Sequence, residues 1–353
     1  MGGVETAAGR CRIALDAMGG DNAPDEIVRG ALLAAEELDR VAITLVGREE
    51  VIREKIGGTL PPHIDIVDAR DVVDMTDTAL APLRRKRNSS IRICSTLVAQ
   101  GKADAMVSAG HTGAAMTSAY KDLGMIAGVD RPALAAVLPN VNGHTMLLDV
   151  GANVDSKAAH LRQFAVMGHY YAQMLFGIEA PRVGLLSIGE EEGKGNELTK
   201  ESFRVMKEMG LNFIGNAEGR DVFNGNADVI VCDGFIGNVV LKASESLAEM
   251  ISKLIREEIM RSPIRKMGGL LVKGAFADMK KRTDYSEYGG APLLGVNGGC
   301  IVCHGRSNAK AIKNAIRVAR DFATNRIDSK IRSKISDLHA REHERGILEE
   351  VEQ

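Results

Sequence analysis

Ser108, His111 and Thr112 fall together in the run Ser108-Ala-Gly-His-Thr-Gly113. Two hydroxyls, an imidazole and two glycines at this spacing offer neutral hydrogen-bond donors on a backbone that other groups can approach closely. The apolar run from Ala103 to Val107 reads as a buried strand. Thr112 onward, through Ala114, Ala115, Met116, Ala119 and Tyr120, reads as a helix. A strand that breaks at Gly and Thr and opens a helix leaves backbone N–H groups unpaired. With the helix dipole they favour a small anion. An ordinary strand–helix turn is the competing use of the same pattern.

Similar loops recur along the chain. They are Asp16-Ala-Met-Gly-Gly-Asp21, Asp149-Val-Gly-Ala-Asn153, Ser187-Ile-Gly-Glu190, Gly215-Asn-Ala-Glu218, Cys232-Asp-Gly-Phe-Ile-Gly-Asn238 and Cys303-His-Gly-Arg-Ser307. Each follows a short apolar run: Arg12–Asp16, Thr145–Val150, Val183–Ser187, Phe213–Gly215, Val229–Cys232 and Cys300–Cys303. Further strands are expected at Ala42–Val46, Ile64–Val67 and Leu134–Leu138. Helices are expected from Pro24 to about Leu38, near Ile91–Gln100, at Ser156–Phe176 and at Leu198–Met209. This alternation, with strands apolar on both faces, predicts an α/β fold with a doubly wound, mainly parallel sheet. Ligands of such sheets sit outside the carboxyl ends of the strands, so the loops are expected to line one extended cleft.

The texture changes near Ser244. Leu247, Met250, Ile251, Leu254, Ile255 and Ile259 keep helical spacing. The stretch Arg261 to Arg282 then carries seven cations and a single Asp among apolar residues. A protruding helical hairpin over about 244–282 is expected. Residues 1–10 read as a disordered lead-in, 11–330 as a single catalytic α/β domain, and 331–353 as a charged helical tail.

The 353 residues are 45% hydrophobic and 26% charged, a globular profile. A net charge of −2 and an aromatic content of 4% give no footprint for nucleic acid. No apolar run spans a membrane and no apolar leader is visible, so a cytoplasmic location is expected. Five scattered Cys fit a reducing compartment.

Several strings tempt and fail. A Gly-x-Gly-x-x-Gly fingerprint is absent, and Gly189-Glu-Glu-Glu-Gly-Lys194 lacks the spacing of a phosphate-binding P-loop. Cys300-Ile-Val-Cys303-His304 matches a haem-attachment string, yet in a strand its two Cys face opposite sides. His339-Ala-Arg-Glu-His343 matches a zinc-peptidase string on a charged helix with little chain left for a third ligand. Arg84-Arg-Lys-Arg87 can bind anions, although a solvated loop is the commoner use of such a run.

Asp16-Ala-Met-Gly-Gly-Asp-Asn-Ala-Pro24, Ser108-Ala-Gly-His-Thr-Gly113, Leu148-Asp-Val-Gly-Ala-Asn153, Asn216-Ala-Glu-Gly219 and Gly234-Phe-Ile-Gly-Asn238 together resemble the bacterial phosphate acyltransferase family over about residues 12 to 330. Val107-Ser-Ala-Gly-His-Thr112, Gly237-Asn238 and Gly290-Ala-Pro-Leu-Leu294 are more weakly similar to phosphotransacetylases. The resemblance implies transfer of a fatty acyl group from acyl carrier protein to inorganic phosphate, feeding phospholipid synthesis. It also implies an isocitrate-dehydrogenase-like fold and a homodimer.

Acyl transfer from a thioester to phosphate needs a held phosphate, donors for a tetrahedral oxyanion and an apolar slot, with no metal or cofactor. Ser108, His111 and Asn153 are therefore expected as catalytic donors. Gly110, Thr112, Gly113, Asn238 and Lys242 are expected at the phosphate. The likeness to phosphotransacetylases adds His304 and Ser307 as catalytic residues and Arg306 at the phosphate. Asp16 and Asp149 serve equally well as turn caps. Arg261, Arg265, Lys266 and Lys273 fit docking of the acidic carrier. They fit an anionic membrane surface or a membrane acyltransferase as well, and a dimer interface remains open. A dehydrogenase on the same fold and a noncatalytic scaffold are the competing functions.

Overall fold

The computed structural model describes residues 9–283 and 285–344. Its strands are β1 (Cys11–Asp16), β2 (Val41–Gly47), β3 (Ile64–Asp68), β4 (Ala105–Ser108), β5 (Ala133–Asn140), β6 (Gly143–Leu148), β7 (Val183–Leu186), β8 (Phe213–Ala217), β9 (Val229–Val231), β10 (Ala291–Leu294) and β11 (Gly299–Val302). Its helices are α1 (Asp25–Glu37), α2 (Glu49–Ile56), α3 (Ala81–Arg84), α4 (Ser90–Ala99), α5 (Thr112–Leu123), α6 (Ala158–Phe176), α7 (Glu197–Lys207), α8 (Asp221–Asn224), α9 (Gly234–Met260), α10 (Pro263–Leu271), α11 (Lys273–Thr283), α12 (Ala309–Thr324) and α13 (Ile327–Glu344).

The strands form one sheet in the order β3-β2-β1-β4-β11-β10-β5-β6-β9-β7-β8. Strands β3 to β11 are mutually parallel, and so are β6 to β8. Between the two blocks, β10 and β5 are each antiparallel to both neighbours. Two reversals at β10 and a third at β6 leave the blocks running in opposite directions. The carboxyl ends of β1, β4 and β11 leave one edge of the sheet, and those of β6, β9, β7 and β8 leave the other.

Both faces are covered, which explains the apolar strands. Helices α1 and α12 bury Ile27, Val28, Ala31, Ile312, Ile316 and Ala319 against Ile13, Leu15, Ile43 and Ile301. Helices α4 and α5 bury Cys94, Ala114, Ala115 and Ala119 with Ala14, Met106 and Cys300 on the opposite face. Helix α6 places Phe164, Met167 and Tyr171 on the second block. Cys300 and Cys303 fall in different clusters, as strand alternation requires.

The elements differ from the expected ones at three places. The helix before the hairpin begins at Gly234 rather than near Ser244. Asp233 caps it by accepting from the Phe235 amide, so the glycine run read as a loop is its first turn. The expected tail at 331 lies inside α13, whose Ile327, Ile331 and Ile335 are buried against α6. Their four-residue spacing gives the helix an apolar stripe that belongs to the core. Strand β10 was not expected, because it is short and contains Pro292. The side chains of His339 and His343 lie outside the described residues.

The hairpin is α9, α10 and α11. Ser262 caps α10 by accepting from the Arg265 amide, and Pro263 occupies its first turn. The apolar side chains of α10 stay in solvent: Ile264 is 83% exposed and Leu271 is 89% exposed.

Candidate active site

The seven glycine loops divide between the two edges of the sheet. Asp16–Asp21, Ser108–Gly113 and Cys303–Ser307 lie at one edge. Asp149–Asn153, Ser187–Glu190, Gly215–Glu218 and Cys232–Asn238 lie at the other. A single line of equivalent strand ends is therefore corrected, because sequence alternation does not reveal that β10 and β5 reverse the direction of the chain.

A buried carboxylate organises each group. At the first edge Asp16 accepts from the Ser108 hydroxyl at 2.7 Å and from the Met18 amide at 3.2 Å. Ser90, at the start of α4, and the Gly19 amide also donate to it. Burial pushes the Asp16 carboxyl up, and these donors oppose the shift. A side chain on Gly19 would strike this carboxylate and the Gly110 amide, so the two loops touch through glycine backbone. Asp21 and Gly20 pack on Gly305, the Asp21 amide donating to its carbonyl at 2.8 Å. Ser90 carries no sequence signal for this role; only the fold brings α4 under β1.

At the second edge Asp149 is fully buried and accepts five hydrogen bonds. Oδ1 takes the amides of Leu134, Gly151 and Ala152, and Oδ2 takes the amide and the side-chain NH2 of Asn153. Asn153 Nδ2 also donates to the Pro132 carbonyl at 2.7 Å.

These contacts reassign two expected donors. The Ser108 hydroxyl is buried and gives its proton to Asp16, while it accepts from the Gly110 amide at 3.1 Å. Asn153 spends its amide protons on Asp149 and Pro132. Both side chains hold loops in shape and have no proton left for an oxyanion. Asp16 and Asp149 act as turn caps.

His111 stands differently. It is the N-cap of α5, and its Nδ1 accepts from the Ala114 amide at 3.2 Å. A ring nitrogen that accepts carries no proton, so the proton of the neutral ring lies on Nε2. Among the described residues the amides of Thr112 and Gly113, in the first turn, have no protein acceptor. The loop therefore presents backbone donors, the Thr112 hydroxyl and the positive end of a helix dipole.

His304 and Ser307 share the loop before α12. His304 Nδ1 accepts from the Arg306 amide at 3.0 Å, its carbonyl accepts from the Ser307 amide, and Ser307 is buried. Burial first, then the charges of Lys242 and Arg306, pushes the His304 imidazole below its ordinary range; Glu245 and Asp21 oppose them.

Lys242 belongs to α9, which starts at the second edge. Its first turns bridge the two groups. Asn238 lies beside Gly151, and one turn later Lys242 enters the field of His304. Gly234 and Gly237 permit this approach: side chains there would overlap carbonyl oxygens of Asn153 and Asp149. Asn238, Lys242 and Arg306 are exposed, and Lys242 pairs with Glu245 at 3.4 Å.

The hairpin cations behave unequally. Arg261 and Arg265 both pair with Glu258, at 2.7 and 2.6 Å, whereas Lys266 and Lys273 stand exposed. Among the described residues no group of three His, Cys, Asp or Glu is placed to hold a metal ion, and no helix is long and apolar enough to cross a membrane.

A family model described as "Fatty acid synthesis protein" matches residues 11–330. The chain is 54% identical to the phosphate acyltransferase of Pelotomaculum thermopropionicum, covering 97% of this chain and 100% of that one. It is 51% identical to the phosphate acyltransferase of Trichlorobacter lovleyi, over 92% of this chain and 95% of that one. Among solved structures, a phosphotransacetylase from Streptococcus pyogenes superposes with a TM-score of 0.63 at 17% identity, covering 90% of this chain and 94% of that one. The EutD phosphotransacetylase from Staphylococcus aureus gives 0.57 at 16% identity, covering 89% and 94%. At such identity these two speak for the fold.

Proposed function

The chain belongs to the phosphate acyltransferase family, and from that premise we propose that its two loop groups, bridged by α9, transfer a fatty acyl group from an acyl carrier protein thioester to inorganic phosphate. The observation that carries this reading is the start of α5: unpaired amides of Thr112 and Gly113, beside a His111 whose Nε2 bears the proton. These groups suit a phosphate dianion, with Lys242 and Arg306 as nearby cations.

The chemistry asks little more. A phosphate oxygen attacks the thioester carbonyl carbon, and the carbonyl oxygen becomes an oxyanion held by neutral donors. The intermediate collapses, the C–S bond breaks, and the thiolate leaves without needing a proton first. Acyl phosphate and free carrier thiol result. Positioning the two reactants supplies as much as ~7–11 kcal/mol of the barrier lowering. Ser108, Asn153, Asp16 and Asp149 contribute by fixing the loops.

The exposed apolar face of α9 and α10 supports a contact with a second copy of the chain or with a membrane surface; the family resemblance favours the homodimer. Apolar area of this kind on a protruding hairpin is costly to leave in water.

Purified chain incubated with acyl carrier protein thioester and phosphate should yield acyl phosphate, trapped by hydroxylamine as the hydroxamate. Activity should survive exhaustive chelation. Hydroxamate no higher than in a phosphate-free control sinks the reading.

A further inference from the structure

The run Arg84-Arg-Lys-Arg87 takes no part in the chemistry above. Its Lys86 is consumed internally: the ammonium bonds Asp77 at 2.6 Å, Asp74 at 3.0 Å and the Val72 carbonyl at 2.6 Å. Arg84, Arg85 and Arg87 are exposed, and among the described residues no carboxylate pairs with them. Among the described residues the one side-chain hydrogen bond of the three runs from Arg87 Nε to the Leu83 carbonyl. Three unmatched guanidinium groups in a chain of net charge −2 make a local positive field.

This segment is held in place. Ala81 and Pro82 are buried, and the amides of Arg85 and Lys86 both donate to the Ala81 carbonyl. It leads into α4, whose Ser90 holds Asp16. It also borders the candidate site. A side chain on Gly113 would meet the Ala79 methyl at 2.9 Å. Lys86 first, and His111 more weakly, holds the Asp77 carboxyl below its usual range.

We propose that Arg84, Arg85 and Arg87 are the docking surface for the acidic protein that carries the acyl thioester. The inference rests on the acyl-transfer reading and goes beyond it by placing the partner at the α5 side of the site. Guanidinium groups match carboxylates in bidentate geometry, and exposed charge acts chiefly on encounter rate and orientation. On the hairpin, by contrast, Arg261 and Arg265 share the single carboxylate of Glu258. The hairpin's Ile264 and Leu271 suit an apolar contact instead.

The test is the full chain with Arg84→Glu, Arg85→Glu and Arg87→Glu combined, alongside a triple Gln variant that keeps the experiment available if charge reversal impairs folding. KM and kcat are measured with acyl carrier protein thioester and with the matching acyl-pantetheine thioester, a donor without the protein. The Glu triple should raise KM for the carrier about tenfold or more, with kcat within about twofold and the small donor unaffected. The Gln triple should fall between, and both effects should shrink at high salt. Unchanged carrier KM overturns the inference, and so does an equal loss with both donors. Intact kinetics with weakened binding to phosphatidylglycerol vesicles also overturns it and assigns the run to a membrane. Failure of the unsubstituted chain with both donors removes the acyl-transfer reading itself, and the docking inference with it.

Discussion

Asp149→Asn separates scaffolding from catalysis at the second loop group. Its Oδ1 accepts three backbone amides, and its Oδ2 accepts two donors from Asn153. Asparagine turns one of these oxygens into NH2, a donor facing donors. Oriented either way it loses at least two hydrogen bonds, in a site with no exposure to water. An orphaned buried donor costs ~1–3 kcal/mol, so the variant should lose roughly 2–6 kcal/mol of stability. Asp149→Ala removes both acceptors and should lose more. Urea unfolding at equilibrium reads the loss as a lower midpoint at unchanged slope. Activity per folded molecule should fall as well, because the Gly151–Asn153 loop lies beside Asn238. A stability change under ~1 kcal/mol with activity abolished would refute the scaffold assignment and make Asp149 a group that acts on substrate.

Two further outcomes follow from the same geometry. His111→Asn keeps an acceptor for the Ala114 amide but lacks the Nε2–H. It should hold the melting temperature and lose ~10²–10³ in kcat/KM, the range for removing one oxyanion donor; His111→Gln should keep more activity and melt lower, and the opposite ranking would discard the donor role. Burial pushes the Cys303 thiol up to about 12 and Cys232 well above its ordinary range, so both are neutral at pH 8. Iodoacetamide at that pH should leave activity intact and mass spectrometry should find no acyl-cysteine; a recovered adduct with ping-pong kinetics would establish a covalent route.

Much of the fold was legible in the chain. Apolar strands such as Ile13–Leu15 and Met106–Val107 announce burial on both faces, and the βα alternation announces a doubly wound sheet. The polar glycine loops were legible because turns that bring backbone against backbone need residues without side chains, as Gly19, Gly234 and Gly237 do. The sequence alone also determined that a helix opens at Thr112. What it left open was direction and commitment. Parallel and antiparallel strands read alike when both faces are buried, so only the tertiary structure decided that β10 and β5 reverse the second block and divide the loops between two edges. Residue type states how many protons Ser108 and Asn153 can donate, while the partners that take those protons, Asp16, Asp149 and Pro132, come from distant parts of the chain. The same holds for the cations: a run of four at Arg84–Arg87 became one internal ion pair network and, among the described residues, three guanidinium groups without a carboxylate partner only when the fold set Asp74 and Asp77 beside Lys86.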